Sequence, residues 1–174
     1  MAEPVWWHSL VRDIPDFPQP GIVFKDITPV LADPAAFREA VRAMTEPWRP
    51  RGIDRVVGVE SRGFIFGAPI ALELGAGFVP VRKVGKLPHE TIAQEYTLEY
   101  GTATLEIHKD GIRRGERVLI IDDLLATGGT INATAQLVEL LGGHVVGIGF
   151  LVELDFLNGR QRLKGREVVS IIHF

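Results

Sequence analysis

Val118-Leu-Ile-Ile-Asp-Asp-Leu-Leu-Ala-Thr-Gly-Gly-Thr130 decides how this chain folds. Four branched apolar residues in succession, Val118 to Ile121, predict a strand buried on both faces, as in a parallel sheet. Asp122 and Asp123 follow where that strand is expected to end. The small-residue turn Ala126-Thr127-Gly128-Gly129-Thr130 then leads into a helical pattern. A glycine turn at a helix N-terminus presents backbone N–H groups and the positive end of the helix dipole, which suits a phosphate. The two carboxylates can accept hydrogen bonds from sugar hydroxyls or face a magnesium ion. A phosphorylated sugar fits all three features. The P-loop does not fit, because Thr130 rather than lysine follows Gly129, and the fingerprint G-x-G-x-x-G is absent.

The rest of the composition narrows the class. With 174 residues, the chain is expected to form one domain with a sizeable core. Its 46% hydrophobic and 24% charged content is that of an ordinary soluble globular protein. A formal net charge of −3 argues against a general nucleic-acid binder, which needs a basic face. The chain has no cysteine, which excludes disulfides and thiolate chemistry and fits a reducing cytosol. No apolar run approaches the roughly 20 residues that span a bilayer. The first residues lack a basic stretch followed by an apolar one, so no secretion signal is expected. A cytoplasmic enzyme or small-ligand binder is the expectation.

Outward from the central stretch, Arg55–Glu60 reads as a second buried strand and Ser61-Arg62-Gly63 as a turn. Phe64–Leu74 reads as a helix ended by Gly75, and Phe78–Arg82 as a further strand. Repeated strand–turn–helix–strand units predict an α/β fold: a mostly parallel sheet of about five strands flanked by helices. Arg62 falls at the carboxyl end of its strand, the side where such sheets bind ligands, and is suited to a phosphate. Downstream, the helix after Thr130 should bury Ile131, Ala135, Val138 and Leu141. Strands are expected at 145–152 and 168–172, with a loop or short helical turn between Leu157 and Gly165.

Upstream, residues 5–13 predict a short amphipathic helix, with Trp6 and Trp7 as a packing anchor or, as the alternative, part of a subunit interface. Asp13–Gly21 should be a rigid extended loop, delivering a short strand at Ile22–Ile27. Asp33 should cap a helix with Pro34 at its first position. Phe37, Val41, Met44 and Trp48 would hold one face of it until Pro50. Between Lys83 and Asp110 the chain is polar, with strand-like pieces near Tyr96–Tyr100 and Ala103–Ile107. That segment predicts a mobile hairpin over a ligand crevice. His89 lies in its solvated part and is a poor catalytic candidate.

The central stretch resembles, residue for residue, the phosphoribosyl pyrophosphate signature of the type I phosphoribosyltransferases. Its form DDLLATGGT, with PDFPQPGIVFKDITPVL upstream and GKLPHETIAQEYTLEYGTATLEIHKD between, resembles the adenine phosphoribosyltransferase family. The resemblance covers the chain from Leu10 onward, departs most after Glu153, and is less typical at Trp6-Trp7. It implies the type I phosphoribosyltransferase fold in a single domain, 1–174. A small N-terminal hood, 1–35, would bind the base, and 83–110 would be a flexible active-site loop. Asp122, Asp123 and Ala126, Thr127, Gly128, Gly129 and Thr130 would hold the ribose and its 5′-phosphate. Arg62, Arg82 and Lys86 would reach the diphosphate, with the subunit that Arg82 serves left open. Val23, Phe24, Lys25 and Leu154 would border adenine, Phe24 stacking on the ring and Leu154 closing its other face. Glu99, with Tyr100 beside it, would be the catalytic acid/base. The resemblance also places a cis peptide bond at Glu60–Ser61.

The implied reaction is transfer of ribose 5-phosphate from phosphoribosyl pyrophosphate to N9 of adenine. Loss of diphosphate from an anomeric carbon gives oxocarbenium character, which calls for charge control and a fixed sugar rather than a protein nucleophile. Magnesium would be held mainly through the substrate, with Asp122 and Asp123 nearby and no direct protein metal site. The partners implied are small molecules and a second copy in a homodimer, with no nucleic acid and no membrane. Two alternatives share the cradle. One is a phosphoribosyltransferase for xanthine, guanine or orotate, against which the Ala in ATGGT and the PGIVFKDI hood argue. The other is a non-catalytic nucleotide-binding regulator, which would need a DNA-binding element that this length leaves no room for.

Overall fold

The computed structural model describes residues 5–97 and 101–174. The chain falls into two compact units, Met1–Ala43 and Met44–Phe174. In the first, Trp6–Leu10 forms a 3-10 helix rather than the α-helix expected. The piece is too short to repay helix nucleation, and the chain is already extended at Val11. Trp7 is buried and Trp6 exposed, so one of the two indoles is the packing anchor. Strand β1 (Arg12–Pro15) pairs antiparallel with β2 (Val23–Asp26), so the expected loop is strand at its start and irregular only beyond Pro15. Two cross-strand ion pairs fix the register: Arg12 to Asp26 at 2.7 Å and Lys25 to Asp13 at 2.6 Å. The Arg12 guanidinium, aided by the Thr28 N–H, holds the Asp26 carboxyl down at about 2.

A short helix not anticipated from the sequence, α1 (Thr28–Ala32), follows with Pro29 in its first turn. Asp33 then caps α2 (Pro34–Thr45), its Oδ1 accepting the N–H groups of Ala35 at 2.9 Å and Ala36 at 2.8 Å. The helix stops at Thr45, earlier than Pro50. Pro47 has no N–H to continue the ladder, and Glu46–Arg51 tightens into a 3-10 helix that carries the buried Trp48.

The second unit is a sheet with helices laid on it. Its elements are β3 (Arg55–Val59), α3 (Gly63–Leu74), β4 (Gly77–Lys83), β5 (Thr91–Thr97), β6 (Thr102–His108), β7 (Arg117–Leu125), α4 (Gly129–Leu140), β8 (His144–Glu153) and β9 (Val168–His173). Strand order is β5-β6-β4-β3-β7-β8-β9. The five strands from β4 to β9 are mutually parallel, as expected. The hairpin β5–β6 extends the sheet to seven strands through a short antiparallel ladder, Arg82 to Glu106 and Lys83 to Leu105. Gly75, with φ +66°, closes α3 by directing its N–H to the Ala71 and Leu72 carbonyls. Among the described residues no helix is long and apolar enough to cross a membrane.

Val118 to Ile121 are each 0% exposed, as a strand covered on both faces requires. The β3–α3–β4 crossover runs to one side of the central pair, and β7–α4–β8 to the other. Right-handed crossovers in opposite directions place α3 and α4 on opposite faces and make the β3/β7 boundary a topological switch point. On the far side, Trp48 covers β8, where a Cβ on Gly147 would lie 2.2 Å from its ring. Gly147→Val should therefore cost about 3 kcal/mol through overpacking, read as a lower denaturant midpoint at constant slope. An unchanged midpoint would show that Trp48 is free to move.

Candidate active site

The sheet itself opens the cleft. β3 pairs with β7 only as far as Gly58 and Ile121, whereas β7 stays laddered to β8 through Leu125 and Glu153. Asp122 and Asp123 therefore lie within the strand, not after it, on a stretch that has lost its neighbour on one side. The resulting cleft, of about 440 Å³, is lined by Glu60, Ser61, Arg62 and Lys83 and by the run from Asp122 to Ile131.

Close approach at the base of the cleft depends on Gly63. A Cβ there would lie 2.8 Å from Asp122 Oδ1 and 3.0 Å from the Ile121 carbonyl, so the first turn of α3 rests directly on the Asp122 carboxylate. The turn before it contains a cis peptide bond at Glu60–Ser61, where the resemblance placed it. Arg62 Nε reaches Asp123 Oδ2 at 2.6 Å, and that carboxylate is buried. Asp122 Oδ1 accepts the Asp123 N–H at 2.9 Å. Burial, and then repulsion by the neighbouring Asp123, push the Asp122 carboxyl well above the usual carboxylate range.

The glycine turn and the helix after it follow the expected form. Gly128 has φ +80° at the position before α4, and no side chain caps the helix. The Asn132 N–H is bonded to the Gly128 carbonyl, so the N–H groups of Gly129, Thr130 and Ile131 precede the helical ladder. These residues line the cleft, and N–H groups in such a position suit an anion. The hairpin comes alongside: a Cβ on Gly129 would lie 3.5 Å from the Thr97 carbonyl and 3.6 Å from the Tyr96 ring. Glu99 and Tyr100, named as catalytic from the resemblance, lie outside the described residues.

The cations are distributed differently from the expectation. Lys83 lines the cleft, whereas Arg82 and Lys86 do not. Arg82 Nε donates to Glu60 Oε2 at 2.8 Å, its Nη1 donates to the Lys86 carbonyl at 3.4 Å, and its guanidinium lies 6.0 Å from the centre of the Phe64 ring. The Lys86 N–H, with those of Gly85 and Leu87, converges on Glu106 Oε1, each at 3.1 Å. Lys83 is not among the positions the resemblance names, although it directly follows Arg82 at the end of β4.

The other expected positions fall in both units. In the first unit Val23 is exposed, Phe24 packs edge-on against Phe17 with centroids 5.2 Å apart, and Lys25 is tied to Asp13. In the second, Leu154 follows β8 and donates its N–H to the Leu125 carbonyl at 3.0 Å, beside the strand that ends in the cradle. Because the Asp122 pKa is raised, its ionised form weakens the fold from about pH 4, the ordinary carboxylate range, upward. Asp122→Asn should therefore melt several degrees higher than the parent at pH 7 without added metal, with the difference vanishing below about pH 4. A lower melting temperature at pH 7 would show the ionised carboxylate to be stabilising.

Comparison with known proteins agrees with this geometry. A family model described as "Phosphoribosyl transferase domain" matches residues 30–171. A relative from Myxococcus xanthus named adenine phosphoribosyltransferase is 58% identical over 167 residues, covering 96% of this chain and 91% of that protein. The crystal structure of adenine phosphoribosyltransferase from Thermoanaerobacter pseudethanolicus superposes with a TM-score of 0.94 at 57% identity, covering 96% and 97% of the two chains. The Saccharomyces cerevisiae enzyme, solved with an imino-altritol bisphosphate and adenine, gives a TM-score of 0.89 at 42% identity over 94% of this chain and 95% of that one. The chain therefore belongs to the phosphoribosyltransferase family, among the adenine phosphoribosyltransferases.

Proposed function

We propose that the protein transfers ribose 5-phosphate from phosphoribosyl pyrophosphate to N9 of adenine, giving AMP and diphosphate, a purine salvage step. The observation that carries this reading is a single cleft lined by a glycine turn at a helix N-terminus, three carboxylates and two cations. A ribose bearing a phosphate at one end and a diphosphate at the other offers the matching charges. The cradle from Ala126 to Thr130 takes the 5′-phosphate, Asp122 and Asp123 take the ribose hydroxyls, and Arg62 and Lys83 take the diphosphate. Arg82 and Lys86 join them once the 83–110 loop closes or a second subunit supplies them. The residues assigned to adenine are Val23, Phe24 and Lys25 in the hood, 1–35, and Leu154 after β8.

In the reaction the bond from the anomeric carbon to the diphosphate oxygen breaks, and its electron pair leaves with the diphosphate. The carbon–N9 bond forms and the N9 proton passes to Glu99, with Tyr100 beside it, while the loop excludes water. The donor set suits a hard cation: Asp122 and Asp123 offer oxygens on one wall. Because Asp123 is already paired with Arg62, magnesium would be held chiefly by the substrate's own oxygens. Bound there, it supplies charge neutralisation for the leaving group. The working form is a symmetric homodimer, the commonest arrangement of soluble oligomers, and a cytoplasmic one, since so charged a substrate does not cross a bilayer unaided.

The test is release of diphosphate from phosphoribosyl pyrophosphate and magnesium with each purine base in turn. Release with adenine alone supports the reading; release with a 6-oxopurine instead would overturn the base assignment. Glu99→Gln should lose turnover while still binding both substrates, and unchanged turnover would remove Glu99 from the mechanism. Lys83→Met should raise the KM for phosphoribosyl pyrophosphate about tenfold, the loss of one charge-assisted contact. An unchanged KM would sink the role given to Lys83.

A further inference from the structure

The glycine turn before α4 is supported from behind by the segment that follows β8. A Cβ on Gly159 would lie 2.2 Å from the Ala126 carbonyl oxygen, and one on Gly128 would lie 2.5 Å from the Gly159 carbonyl oxygen. Two stretches of bare backbone are therefore in contact, and where Gly159 sits determines where the cradle can sit. Gly159 is itself buried, although the residues on either side of it are exposed.

What fixes Gly159 is its neighbour. Arg160 Nε donates to both oxygens of Glu153, at 2.7 Å and 2.9 Å, and Glu153 is 4% exposed at the end of β8. Arg160 Nη1 donates to the Val168 carbonyl at 2.9 Å and Nη2 to Ser170 Oγ at 3.4 Å. The Ser170 hydroxyl in turn donates to Glu153 Oε2 at 2.6 Å. One guanidinium thus ties the 159–163 turn to the ends of two strands. Glu153, Asp155 and His173 also bring ligand atoms within 4.8 Å of one another. However, Arg160 and Ser170 already occupy the Glu153 oxygens, and His173 Nδ1 lies 2.9 Å from Asp155. The cluster is a brace rather than a cation site.

We propose that the Glu153–Arg160 pair, acting through Gly159, is a positioning device for the phosphate cradle. It holds the Ala126–Thr130 backbone so that the N–H groups at the start of α4 converge on one point. The proposal rests on the cradle being the 5′-phosphate site. Arg160 touches no substrate, and its effect is confined to the sugar phosphate. A lysine at position 160 would keep the charge but could not reach Glu153, the Val168 carbonyl and Ser170 together. Gly159→Ala would push a methyl into the Ala126 carbonyl.

The test is steady-state kinetics and calorimetric binding of phosphoribosyl pyrophosphate for the parent, Arg160→Lys and Gly159→Ala. Arg51→Met, which removes the exposed Arg51–Glu167 pair at the other end of the strands, serves as a structural control. Expected is a KM and Kd for phosphoribosyl pyrophosphate raised about tenfold in both variants, with the KM for adenine within about twofold and the control unchanged. Should Arg160→Lys and Gly159→Ala fail to fold, Ser170→Ala removes one bond from the same carboxylate and should raise that KM about threefold. A loss of melting temperature with unchanged KM would overturn the positioning role and leave the site assignment standing. A parent protein that does not bind phosphoribosyl pyrophosphate would overturn the site assignment and this proposal with it.

Discussion

Unequal strand length at the switch point is the constraint on which the site depends. β3 leaves β7 at Ile121, while β8 accompanies β7 to Leu125. Over that interval β7 keeps one neighbour, which holds it straight, and lacks the other, which leaves room for a ligand. Both carboxylates fall in the interval, and the glycine turn follows directly after it. The buried run Val118–Ile121 and the polar run after it are thus two parts of one strand, separated by where β3 stops.

The charges at this opening are arranged at a cost. Asp122 and Asp123 are adjacent on a partly desolvated strand, and Asp123 is ion-paired with Arg62. The first keeps its proton more readily as a result. A protonated Asp122 can donate as well as accept, and an Asp123 neutralised by Arg62 avoids a second buried charge. The start of α3 packs on Asp122 because residue 63 has no side chain. The cleft therefore combines a buried carboxyl, an ion pair and two helix N-termini.

Much of this was legible in the residues. Branched apolar runs gave the buried strands, Asp33-Pro34 gave a helix start, Gly75 a helix end, and DDLLATGGT both the cradle and the family. What was not legible follows from interactions across long sequence separation. The acids appeared to end β7 because polarity resembles termination, and only the β8 ladder carries the strand onward. Trp6-Trp7 read as a helix because the spacing fits, yet the adjacent pairing of Arg12 with Asp26 takes the chain into a hairpin. Lys83 is absent from the positions the resemblance names because a motif match does not say which side chains line a cleft. Gly159 carried no local signal: its role is visible only where it meets Ala126 and Gly128.

The most direct measurement is a crystal structure of the protein with ribose 5-phosphate bound. The account predicts the phosphate on the N–H groups between Ala126 and Thr130, with the ribose hydroxyls on Asp122 and Asp123 and the Arg62–Lys83 side left for the diphosphate. A phosphate held by Arg62 and Lys83 with nothing in the cradle would contradict it.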